Sequence, residues 1–219
     1  MPRRLIAAAV VVLLALADLG AQRPADLVGR RVRAEVTSVA DGDTLDVRLL
    51  PARPPLRVRL HGVDAPEAGE PFNRRARTFT RVLLLAKEVD LFGRDVDVYG
   101  RLVARISIAG DDASAALLRA GLACHYRRYS DDPVLERAER EARAAGRGFW
   151  AAGAARPACV AREARAAAAL TTAVVGNASS RVYHLPTCPN AGCRNCTRKF
   201  ATGAAAERAG FRPAADCIR

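Results

Sequence analysis

"VRLHGVDAPE", residues 58–67, carries the reading that decides the fold. Leu56, Val58 and Leu60 alternate with Arg57, Arg59 and His61, the period-two pattern of a half-buried strand. Arg59 and His61 therefore stand on the face opposite the leucines. Pro66 cannot donate to a sheet ladder and biases the residue before it toward extended geometry, so the strand should end near Gly62 to Asp64. An arginine and two carboxylates, Asp64 and Glu67, are left at a strand end.

Short alternating stretches recur on both sides of it, among them "VRAEVTSV", "TLDVRLL", "EVDLFG" and "LVARISI". Asp41-Gly42, Pro54-Pro55 and Tyr99-Gly100 supply turn signals between them. The pattern predicts a small antiparallel barrel. Three stretches switch to helical spacing. The first runs from Asn73 to Lys87 with Ala76, Phe79 and Leu83 on one face, and the second from Ala113 to Leu122. The third starts at an Asp132 cap and Pro133, carries Leu135, Ala138, Ala142 and Ala145, and stops at Gly146. The fold class is α+β.

At 219 residues the chain holds one domain of ordinary size and a small extra module. Residues 1–21 open with Arg3 and Arg4, continue with an apolar run from Leu5 to Ala17, and offer a small-residue cleavage pattern at Ala15-Leu16-Ala17. This reads as an export signal, because the apolar run falls short of the roughly 20 residues that span a bilayer. The expected location is periplasmic or extracellular, with no stable membrane association once the leader is removed. The formal net charge of +12 attracts polyanions. Lys87 and Lys199 are the only lysines, so the basicity is nearly all arginine and by itself suggests nucleic acid without showing it. A barrel domain at 28–152 precedes an alanine-rich stretch at 153–176, read as a helical spacer or a linker. A small cysteine-rich module follows at 177–219.

Asp41 and Asp43 flank Gly42 before the opening stretch, and "DVYGR" ends in Arg101 after it. This ordered set resembles the staphylococcal nuclease (thermonuclease) family over approximately residues 30–150, including "GLACHYRRY" and the closing "GRGFW". The resemblance implies an OB-fold, a five-stranded barrel with three helices. It further implies that Asp43 and Asp64 bind calcium, that Ala65 offers a backbone carbonyl to the metal, and that Arg59, Glu67 and Arg101 form the catalytic trio. Tyr99 falls where the family meets a substrate phosphate, and Tyr126 and Tyr129 where it places an aromatic for base stacking, with a different local spacing. Asp41 shapes the turn or supports the metal from outside its ligands.

These roles have a physical rationale. Calcium takes oxygen ligands, and two aspartates with a carbonyl leave positions open for a phosphate oxygen. Charge that builds on the non-bridging oxygens is met by guanidiniums as bidentate donors, and a carboxylate can orient or deprotonate the attacking water. The expected protein is a monomeric, calcium-dependent nuclease acting on DNA and RNA, preferring unpaired strands and leaving 3′-phosphates. The competing expectation is a non-catalytic nucleic-acid-binding barrel.

The tail's "VYHLPTC" and "AGFRPAADC" resemble the zinc domain of Ada-type DNA-repair proteins. Cys188, Cys193, Cys196 and Cys217 would supply four thiolates to zinc. Ala214 stands where the Ada-type ending has another cysteine, so Cys193 and Cys196 replace lost ligands or His184 joins in. Export favours disulfides instead, with Cys188 to Cys217 as a staple and with Cys124 and Cys159 as either a second pair or two buried, unpaired thiols. Zinc and disulfide both remain open at this point.

Overall fold

The computed structural model describes residues 23–51, 54–214 and 218. The proposed leader and Cys217 lie outside the described residues. The chain forms two compact units that divide between Ala154 and Ala155.

The first unit is a closed five-stranded barrel with three α-helices among its described residues. β1 (Arg31–Val39) pairs with β2 (Thr44–Leu49), and β2 with β3 (Pro55–Leu60). β1 also pairs with β5 (Glu88–Val96), which pairs with β6 (Leu102–Ile108), all antiparallel. Closure comes from β3 against β6. That seam is parallel, with Val58 opposite Leu102 and Arg59 opposite Val103. Alternate residues fill the interior as the period-two pattern predicts, with Val58, Leu60, Leu102, Ala104 and Ile106 nearly inaccessible. A short β7 (Asp111–Asp112) extends the sheet beyond β6.

The opening strand ends earlier than its pattern suggests. Gly62 takes a left-handed φ of 76°, and the next two residues form a separate β4 (Val63–Asp64) that pairs with β8 (Cys124–His125). A Cβ at Gly62 would meet Leu135 Cδ1 at 2.5 Å, so only glycine can make this turn here.

α1 (Asn73–Leu84) stops before Lys87. Ala86 takes a positive φ, and Ala86 and Lys87 already bond to Val36 of β1. α2 (Ala113–Arg119) is capped by Asp112, which accepts from the Ala115 N–H at 2.9 Å. α3 (Pro133–Ala144) is capped by Asp132, which accepts from Val134 at 2.9 Å. Its inner stripe holds Leu135, Ala138 and Ala142 as expected, but Ala145 is exposed beyond the helix end and Glu139 is buried in its place. The His125 N–H donates to Glu139 Oε1, and the guanidiniums of Arg127 and Arg143 pair with the charge on Oε2.

The second unit corrects the alanine-rich spacer at 153–176. Ala158–Thr171 forms α4, whose Ala169 is fully buried, and β9 (Val174–Asn177) is an inner strand of a four-stranded sheet. β9 lies between β11 (Cys196–Phe200) and β10 (Val182–His184), and β10 pairs with β12 (Arg212–Pro213). α5 (Gly203–Arg208) completes the unit. The module therefore begins near residue 155 and not at 177. Its core gathers Ala169, Val174, Tyr183, Cys188, Ala206, Phe211, Ala214 and Ile218.

The four-thiolate zinc set is also corrected. Cys193 and Cys196 are joined as a disulfide, and no cysteine is free among the described residues. Disulfide sulfurs carry no thiolate charge for a metal.

Candidate active site

Register brings the charged residues together. The turn at residues 40–43 returns β1 into β2, with Ala40 and Asp41 both donating to the Thr44 carbonyl. Asp43 then enters β2 beside β3: its carbonyl accepts from Leu60 at 2.8 Å, and Thr44 lies opposite Arg59. Gly42 permits the close approach of α1, since a Cβ there would sit 2.8 Å from the Cβ atoms of both Ala65 and Ala76. Thr80 of α1 donates to the Gly42 carbonyl at 2.6 Å.

Arg59 is not a solvated strand residue. Its side chain is 15 % exposed and spans two aspartates. Nη1 donates to Asp43 Oδ1 and Nη2 to Asp64 Oδ1, each at 3.1 Å. Asp43 is buried, and it also accepts from Thr44 Oγ1 at 3.0 Å and from the Ala65 N–H at 2.8 Å. The last bond fastens the 63–67 corner onto the start of β2. Asn73, the first residue of α1, reaches both the Pro66 carbonyl at 2.8 Å and Asp41 Oδ1 at 3.3 Å. Asp41 thereby braces the corner from outside the cluster.

The electrostatics of the cluster follow from this crowding. Burial pushes Asp43 above the ordinary carboxylate range against the pull of Arg59. Burial, then Asp43, push Glu67 up as well, with Arg59 opposing and Asp41 and Asp64 adding. Burial works to lower Arg59, but Asp43, Asp64 and Glu67 together hold it above its usual value. Four carboxylates thus act on one another around a single guanidinium. The donor set is all oxygen, and the Ala65 carbonyl carries no hydrogen bond among the described residues. An excess of hard oxygen donors with one carbonyl to spare suits a divalent cation of the calcium type. Glu67 is exposed at the rim of this cluster, where it can reach a water molecule.

The remaining predicted residues are held by contacts of their own. Arg101 is held by its own turn: Nε donates to Asp97 Oδ2 at 2.6 Å and its N–H to Asp97 Oδ1 at 2.9 Å. Its guanidinium lies 5.2 Å from the Tyr99 ring centroid, and Tyr99 is 80 % exposed. Tyr126 and Tyr129 pack edge to face at 5.0 Å, with Tyr129 largely exposed. Sequence reasoning misses Thr44, Asn73 and Asp97. An aspartate three residues before a glycine is an Asx-turn signal, and that could have identified Asp97.

Residues 57–152 match the Staphylococcal nuclease homologue family. The chain is 33 % identical over 127 residues to an uncharacterized endonuclease of Escherichia coli, an alignment that spans 58 % of this chain and 78 % of that protein. It is 36 % identical over 132 residues to a micrococcal nuclease of Shigella flexneri, across 54 % of this chain and 73 % of the relative. A probable staphylococcal-like nuclease of Oryza sativa subsp. japonica is 39 % identical over 97 residues, 44 % of this chain and 26 % of its own length.

Proposed function

The chain belongs to the staphylococcal nuclease family, and on that premise we propose that it is an exported, calcium-dependent phosphodiesterase. Its substrates are DNA and RNA, unpaired strands by preference, and its products carry 3′-phosphates. The observation that carries this reading is Arg59 held between Asp43 and Asp64 at 3.1 Å each, with Glu67 at the rim.

Asp43, Asp64 and the Ala65 carbonyl would hold calcium, which supplies positive charge to a phosphate oxygen and acidity to a water when bound. Arg59 is fixed before substrate arrives and so meets the charge that develops on the non-bridging oxygens at little cost in reorganisation. Glu67, lifted above the ordinary carboxylate range by burial and Asp43, is better matched to proton transfer near neutral pH than an unperturbed glutamate. Arg101 contributes once it exchanges Asp97 for a phosphate, an anion that its planar fork fits equally well. Tyr99, exposed on the same turn, meets the strand there.

Export is supported by the basic and apolar start of the sequence and by the Cys193–Cys196 disulfide, a bond that persists in oxidising compartments. No helix among the described residues is long and apolar enough to cross a membrane. The experiment is mass analysis of single-stranded DNA and RNA oligonucleotides incubated with the full chain and calcium. Fragments ending in 3′-phosphate are expected. Intact oligonucleotide that is nonetheless bound would mark a non-catalytic barrel.

A further inference from the structure

His61 follows Arg59 by two residues, the first residue past the end of β3, so their Cα atoms lie at most about 7 Å apart. It is only 9 % exposed, and its Nδ1 has no hydrogen-bond partner among the described residues. A buried polar atom left in that state costs about 1–3 kcal/mol. His61 lines a cleft of ≈ 410 Å³ with Arg94, Arg105, Tyr129, Ser130 and Asp132.

Arg94 reaches the cleft through a defect in the sheet. It is the extra residue of the β-bulge between Gly93 and Asp95 where β5 pairs with β6, and a bulge re-aims its side chain out of the strand alternation. Arg94 is exposed and lies 5.8 Å from the Phe92 ring, with no acid paired to it among the described residues. Arg105 gives Nε to Asp112 and Nη2 to Asp132, which leaves Nη1 outside both pairs. Those acids are already committed, because Asp112 and Asp132 also cap α2 and α3. The remaining acid of the lining is exposed Asp131.

We propose that this cleft is a second phosphate subsite, which holds a phosphate of the substrate strand beside the one being cleaved. The proposal rests on the nuclease reading and adds a place where the strand is gripped. Arg94 and the spare Arg105 N–H groups supply the donors, and His61, once protonated, donates through Nδ1. Tyr129 forms the wall. A Cα separation from Arg59 of at most about 7 Å is within the span of one or two nucleotides of a strand. Burial first, then Arg94 and Arg105, hold His61 below the ordinary histidine range, while the backbone of Tyr129 and the charge of Asp112 pull the other way. The charged groups facing it are Arg94 from β5, Arg105 from β6, Asp112 from β7, and Asp131 and Asp132 from the loop before α3. Arg94 and Arg105 each act on the ring more strongly than Asp112 does, and an anion held by Arg94 would raise the titration midpoint of His61.

The test uses the full chain in chelator, with inorganic phosphate as the probe and the His61 ring followed by NMR. Phosphate should raise the midpoint by about one pH unit, and Arg94→Gln should abolish the shift. In calcium, Arg94→Gln should raise KM for a long single strand about five- to ten-fold with kcat unchanged, and leave cleavage of a dinucleotide unaltered. A midpoint that ignores phosphate, a shift that persists in Arg94→Gln, or equal losses on long and short substrates would each overturn the subsite. Failure of the nuclease reading would instead appear as wild-type protein that cuts neither substrate, and the His61 shift does not depend on cleavage.

Discussion

The two arginines assigned to the chemistry live in opposite surroundings. Arg59 sits at 15 % exposure between two aspartates on the closing seam of the barrel. Arg101 ends a turn whose Val98 and Tyr99 are 93 % and 80 % exposed, and it pairs with Asp97 four residues earlier. The first is held by Asp43 at the start of β2 and by Asp64 at the corner after β3, segments that fold whether or not substrate is present. The second is held locally by a bond that a phosphate can replace. Under the proposed function, the reacting centre would have two parts, one organised by folding and the other stored until the strand arrives.

Breaking the fixed half should have the largest effect. Arg59→Lys leaves a point charge that cannot span Asp43 and Asp64 together, and kcat should fall on the order of 10²–10³-fold with little change in KM. Steady-state kinetics on a single-stranded oligonucleotide checks this, and equal changes in KM and kcat would make Arg59 a residue that merely positions substrate. The packing around the fixed half should be just as unforgiving. Gly42→Ala drives a methyl against Ala65 and Ala76 at 2.8 Å and should cost about 1–3 kcal/mol in urea unfolding.

The stored half should be tolerant. Gly100 has a φ of 77°, and a Cβ added there would meet nothing within 4 Å. Gly100→Ala should therefore cost only the left-handed backbone penalty of about 1–2 kcal/mol, in the lower half of the Gly42→Ala range. The smallest effect sharpens the comparison most. Asp97→Asn removes the charge that detains Arg101 but keeps an acceptor, and kcat/KM should change by less than about ten-fold. A loss as large as that of Arg59→Lys would mean that Asp97 is part of the fixed centre.

The fixed half is the more legible in sequence, for a physical reason. Strand alternation around Val58 and Leu60 reports which face is buried, and Asp43, Arg59, Asp64 and Glu67 cluster at strand ends where turn residues announce themselves. The β3 to β6 seam is not legible, because pairing between strands distant in sequence leaves no local pattern. The same holds for Thr44 and Asn73, ordinary residues until the register brings them to Asp43 and Pro66. Arg94 cannot be picked out either, since a bulge is a property of the pairing and not of the residue. In the second unit, α4 buries little beyond Cys159 and Ala169. A run of alanines has almost no contrast between its faces, so a structural helix reads as a spacer.

Under the proposed function, the Asp43–Arg59–Asp64 cluster is where the metal and the scissile phosphate meet. Cleavage of a single-stranded oligonucleotide by the full chain, measured against calcium concentration for wild-type protein and Asp64→Asn, tests it most directly. Asp64 is the better choice because Asp43 also holds the Ala65 corner in place. The wild-type rate should rise with calcium and vanish in chelator, and Asp64→Asn should need at least about ten-fold more calcium to reach half its maximum. Cleavage that continues in chelator, or identical calcium curves for the two proteins, would contradict the account.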